Sequence, residues 1–182
     1  MKKFISLIKE DLFRYKGKED FLNFLITYFK VPGFNYLVWL RLAQVYKFKL
    51  FKFILRRKMI KFGIEIYPDT NIGKGFYIGH FGGIVINSNA VIGNYCNISH
   101  CVTIGQLNRG RKKGVPIIGN NVYIGPGAKI LGKIKIGNNV VIGANSVVIN
   151  DVPDNAVVGG IPAKIISYKG SKHYINNIKK EK

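Results

Sequence analysis

The sequence predicts a mainly β protein, a parallel solenoid of six-residue repeats preceded by a short α-helical region. Three observations carry that expectation: a period of six, small residues at a fixed offset within it, and a first third that lacks the pattern. Aliphatic residues recur at Ile66, Ile72 and Ile78, then at Ile86, Ile92, Ile98 and Ile104. They resume at Ile118, Ile124, Ile130, Ile136, Ile142 and Val148. Most are followed by glycine, as in Ile72-Gly73 and Ile118-Gly119. A period of six fits neither the 3.6 of a helix nor the 2 of an ordinary strand. In a hexapeptide solenoid each repeat makes a short strand and a corner, and the aliphatic side chain points inward to stack on its equivalents. Four positions on stand Ala90, Cys96, Ala128 and Ser146, small enough for the interior of a narrow prism.

Residues 1–62 read as helical. An apolar helix over Phe21–Tyr28 ends before Pro32-Gly33. A second runs from Phe34 through Trp39, Leu42 and Val45 and continues, with a kink, toward Arg57. Phe48, Phe51, Leu55 and Met59 fall on one stripe of it, flanked by Lys47, Lys49, Lys52, Arg56, Arg57 and Lys58. Two readings stay open: a packing face whose flanking charges are solvated, or a basic amphipathic anchor at an anionic membrane. The solenoid domain occupies 63–166, and its register breaks twice. The step from Ile78 to Ile86 is eight residues, an insertion at His80-Phe81-Gly82-Gly83. The step from Ile104 to Ile118 leaves 106–116, with Arg109 and other basic residues, as a projecting flexible loop. The basic tail, 167–182, is expected to fray. Open solenoid ends call for caps, and flat faces for association with copies of the same chain.

At 182 residues and 47% hydrophobic, with mean hydropathy +0.09, the chain is expected to be one domain, or one domain with an appendage. No run reaches the roughly 18 apolar residues of a transmembrane helix, and the N-terminus does not read as a signal peptide. Two cysteines make no disulfide framework; Cys96 reads as a buried thiol and Cys101 as an outward one. The compartment expected is the cytoplasm. The net charge of +20 favours anionic partners, but no nucleic-acid-reading motif accompanies it.

His80 and His100 each lie two residues after a corner aliphatic, and those corners are twenty residues apart. The two rings should stack on adjacent coils about 4.8 Å apart and face one cleft. A second acid/base pair or half a zinc site both fit such a pair, but zinc needs three or four ligands, and no further cluster completes a site. Glu65 suits a carboxylate that would orient His80; a solvated charge or a partner for Lys61 is the other reading.

The stretch Ile64–Ile166 resembles the serine acetyltransferase branch of the left-handed β-helix, hexapeptide-repeat acyltransferases. The resemblance rests on Ile64-Glu65-Ile66-Tyr67-Pro68, Ile78-Gly79-His80, Gly125-Pro126-Gly127-Ala128-Lys129 and Gly160-Ile161-Pro162-Ala163-Lys164. It implies acetyl-CoA as co-substrate with no permanently bound cofactor, and a homotrimer, or a dimer of trimers, with sites between subunits. It also implies catalytic roles for His80 and Glu65. The chain departs from that branch where an aspartate gives way to Gly79, a glutamate to Ser88 and an Arg-His pair to Gly114-Val115. These are the residues that grip serine. With Ser99-His100-Cys101, they shift the resemblance toward capsule and exopolysaccharide O-acetyltransferases of the colanic-acid type. The function expected is therefore acetylation of a sugar hydroxyl. Serine O-acetylation is the alternative, and a non-catalytic membrane-associated scaffold the second. In that scheme His80, Glu65 and His100 are catalytic. Gly105, Gly125, Ala128, Lys129, Ala144 and Lys164 line the acetyl-CoA path, and Gly82, Gly83, Asn87 and Arg109 meet the acceptor. No metal is called for.

Overall fold

The computed structural model describes residues 2–179. Four helices come first: α1 (Lys2–Lys16), α2 (Phe21–Lys30), α3 (Pro32–Tyr46) and α4 (Lys49–Phe62). Three-strand coils follow. The first holds β1 (Ile64–Ile66), β2 (Asn71–Ile72) and β3 (Tyr77–Ile78), the second β4 (Ile84–Ile86), β5 (Val91–Ile92) and β6 (Asn97–Ile98). The third holds β7 (Thr103–Gly105), β8 (Ile117–Ile118) and β9 (Tyr123–Ile124), the fourth β10 (Lys129–Leu131), β11 (Lys135–Ile136) and β12 (Val141–Ile142). β13 (Val147–Val148), β14 (Val157–Gly160) and β15 (Ala163–Ser167) close the chain. The strands form three sheets, β1-β4-β7-β10-β13, β2-β5-β8-β11 and β3-β6-β9-β12-β14-β15, parallel except for the final β14–β15 pair. This is the left-handed β-helix.

The six-residue period sets the register. Ile66 lies on Ile86, Ile86 on Ile104, Ile104 on Ile130 and Ile130 on Val148, all at most 2% exposed. Ala90, Cys96, Ala128 and Ser146 are fully buried among them. At one corner the backbone turns away from its sheet, and its N–H groups need other acceptors. An asparagine ladder supplies them. The N–H of Lys74 donates to Asn94 Oδ1, Asn94 to Asn120, Asn120 to Asn138 and Asn138 to Asp154, all at 2.7–3.0 Å.

The helices cap the first coil. Tyr36 Oη donates to Ile66 O at 2.7 Å. Arg41, 1% exposed, donates to Asp11 and to the carbonyls of Ile72 and Gly73. Gly33 lets α3 lie against β3, since a Cβ there would stand 2.4 Å from Ile78 O.

Three expectations change. The long second helix is two helices, because Lys47 turns left-handed (φ 54°) and Phe48 restarts the chain as the N-cap of α4. Leu55 is buried and Phe51 and Met59 pack on the core, so most of the stripe is a packing face, while Phe48 is exposed. The loop 106–116 is no free arm: Leu107 and Gly114 exchange backbone hydrogen bonds at 3.0 Å, and Lys133 N–H donates to Lys112 O. The tail does not fray as far as Lys179, because Ser171 Oγ donates to Asn121 O and Asn97 Nδ2 to Tyr174 O. The last three tail residues lie outside the described ones. Among the described residues no helix is long and apolar enough to cross a membrane.

Candidate functional site

Tyr77 pairs with Asn97 and Ile78 with Ile98, so His80 and His100 leave β3 and β6 at equivalent places. Their rings stand edge to face with centroids 5.7 Å apart. Both are exposed and both line one cleft of about 500 Å³. The inserted Gly82-Gly83 packs under the next coil. Cys101 N–H donates to Gly82 O at 2.8 Å, and Gly83 has φ 66° with room for a Cβ only 3.1 Å from Cys101 Sγ.

Besides Gly79, Ser99 and Pro126, much of the cleft comes from residues that the sequence reading did not single out. Tyr77, Asn97 and Tyr123 occupy one column of the third sheet. Arg14 and Tyr15 reach it from α1, and Tyr174, Asn176 and Asn177 from the tail. The column has a signal in the sequence, the polar or aromatic residue before each of Ile78, Ile98 and Ile124. The contributions of α1 and the tail have none, because they arise from packing between distant segments. Burial pushes the Tyr15 phenol well above its ordinary range, and it donates to Ile78 O.

Glu65 stands elsewhere. It lies on the outer face of β1, in a second cavity of about 630 Å³ against α4 that also receives Lys52, Arg56 and Met59. Tyr67 Oη donates to its Oε1 at 3.1 Å, which raises the Tyr67 phenol above its usual range. The two cavities share no lining residue, and no hydrogen bond joins Glu65 to His80 among the described residues. The physical reason is the prism: β1 and β3 lie on different faces.

Of the residues expected along acetyl-CoA, Ala128 is fully buried inside the prism and its side chain cannot face a ligand; its smallness serves the core. Gly125 is buried, and a Cβ there would stand 2.8 Å from Ala144 N, so coil stacking requires this glycine. A Cβ on Gly105 would press on Leu131 Cδ2 at 2.9 Å. Ala144 and Lys164 are exposed, and Lys129 Nζ donates to Cys101 O beside His100. Asn87 is engaged locally, its Oδ1 accepting from Asn89 N–H at 2.9 Å. Arg109 lies exposed at the tip of the loop. No group of three His, Cys, Asp or Glu side chains gathers for a metal ion among the described residues.

A family model described as bacterial transferase hexapeptide (six repeats) matches residues 116–150. The serine acetyltransferase of Staphylococcus xylosus is 37% identical over 94% of this chain and 82% of its own. That of Synechococcus elongatus is 40% identical over 82% of this chain, which spans 62% of that relative's length. The crystal structure of serine acetyltransferase from Brucella abortus superposes with a TM-score of 0.79 at 31% identity, covering 93% of this chain and 71% of that one. These similarities overturn the expectation of a sugar acceptor and of a place in polysaccharide synthesis, because the similar proteins are named for serine.

Proposed function

We propose, for a chain that belongs to the serine acetyltransferase family, that it transfers the acetyl group of acetyl-CoA to the hydroxyl of serine. One observation carries the reading: relatives of that name match the chain over both its helices and its solenoid. The cleft supports it with an exposed histidine pair. His80 takes the hydroxyl proton as the serine oxygen attacks the thioester carbonyl. The tetrahedral intermediate then collapses, the C–S bond breaks, and the imidazolium returns its proton to the departing sulfur. His100 holds the acceptor hydroxyl on the opposite side from His80. The pantetheine arm runs past Gly125 and Ala144, and Lys164 and Arg109 meet the phosphates.

Glu65 and His80 line different cavities of one chain, so an orienting contact between them belongs across a subunit interface. We therefore keep the homotrimer, with each cleft walled by two copies, in the cytoplasm where acetyl-CoA is available. Gly79, Ser88 and Gly114-Val115 leave serine without the family's usual grips, so the Michaelis constant for serine is expected to be high. The test is CoA release by the purified chain with acetyl-CoA, with and without L-serine, and detection of O-acetylserine by mass. Serine-dependent release with that product supports the reading. No release at high serine concentration removes it.

A further inference from the structure

We infer that Arg14 is the carboxylate-binding residue of the acceptor cleft, supplying from α1 the arginine that Gly114-Val115 do not offer before Pro116. The inference rests on the serine reading above.

Arg14 is 4% exposed, yet it lines the cleft that holds His80 and His100. Its Nε donates to Asn176 O at 2.8 Å, Nη1 to Gly75 O at 2.8 Å and Nη2 to Asn97 Oδ1 at 2.6 Å. None of these acceptors carries a charge. Asp11, one turn earlier on α1, is engaged by Arg41 at 2.9 Å. A buried cation with no anion in direct contact is costly, and burial pushes this guanidinium below its ordinary range against a weaker pull from Asp11. A guanidinium has five N–H donors. The three hydrogen bonds leave two of them without a protein acceptor among the described residues. Two donors in a planar fork match one carboxylate.

The placement suits an amino acid. The guanidinium carbon lies 5.8 Å from the Tyr77 ring centroid, and one Nη contacts Asn97. Tyr77 and Asn97 precede His80 and His100 by three residues each. Arg14, His80 and His100 line the same cleft, so an acceptor bound in it has a histidine at one end and Arg14 at the other. Asn97 and the tail hold the fork in place, so the cation is oriented before the acceptor arrives.

A purely structural role is the competing account, since Arg14 also ties the tail to β6. Two acceptors separate them. L-serinamide keeps the hydroxyl and the amine of serine and loses the carboxylate. The wild-type chain is expected to prefer serine over serinamide in kcat/KM by about 10- to 100-fold, the value of one charge-assisted contact. In Arg14→Gln the preference should fall to within about threefold of unity, through a raised KM for serine, with turnover of serinamide retained. Arg14→Lys should keep an intermediate preference. The ratio compares two acceptors in one preparation, so partial loss of folded enzyme cancels. If the Gln variant yields no soluble protein, the same fall in ratio, smaller in size, is read in Arg14→Lys. An unchanged ratio in the folded variant overturns the inference. A wild-type chain that turns over serinamide as well as serine also overturns it, whereas one that turns over no serine overturns the acceptor reading beneath it.

Discussion

The clearest chemistry at single residues comes from what the prism excludes. Cys96 fills an inward position where only a small side chain fits, its Sγ 3.2 Å from Gly119 O. Burial pushes its thiol up to about 12 from 9.0. A raised folded value means that the neutral thiol stabilises the fold fully below about pH 9. That contribution is lost as pH rises from there toward 12. A thiol reagent at pH 8 should therefore modify Cys101 and spare Cys96 in the folded chain, and modify both in denaturant. Labelling of Cys96 without unfolding would contradict its burial. Cys96 was legible in the sequence because a strict repeat assigns every position a direction. The His80–His100 pair was legible for the same reason. Arg14 was not: its contacts with Asn97 and Asn176 join residues 83 and 162 positions apart. No local pattern in α1 encodes them.

Among the elements, a buried ion pair helps to join the helices to the solenoid. Arg41 of α3 and Asp11 of α1 are 1% and 0% exposed. Together they satisfy Ile72 O, Gly73 O and Phe76 N of the first coil. Removing one partner leaves the other buried and uncompensated. Asp11→Ala is expected to cost about 3–5 kcal/mol in chemical denaturation; a loss below about 1 kcal/mol would show that the pair is replaceable. Here the sequence reading reached the element types and most strand positions but missed three boundaries. The break at Lys47 depends on one left-handed residue inside an otherwise helical pattern. The loop 106–116 and the tail had loop-like, basic composition. Their order comes from backbone pairs with Lys133 and side-chain bonds with Asn97 and Asn121, which composition does not report.

For the molecule as a whole, the fold follows from periodicity, and the acceptor does not. A period of six dictates a prism, and a prism carrying a histidine pair is open to any hydroxyl. The departures at Gly79, Ser88 and Gly114-Val115, taken together with Ser99-His100-Cys101, pointed away from serine. The similarity of the entire chain to serine acetyltransferases outweighs them, and the cleft contains a cation from a different segment. The proposed contacts with CoA phosphates would use only part of the net charge of +20, and the helices also expose Phe21, Leu22, Phe29 and Phe53. The measurement that tests the central claim most directly is steady-state acetyl transfer to serine by the wild-type chain and by His80→Ala, with sedimentation showing the same assembly for both. The account predicts a loss of about 10²- to 10⁴-fold in kcat on removal of the base. Serine turnover that survives in His80→Ala within a few-fold of wild type would contradict it.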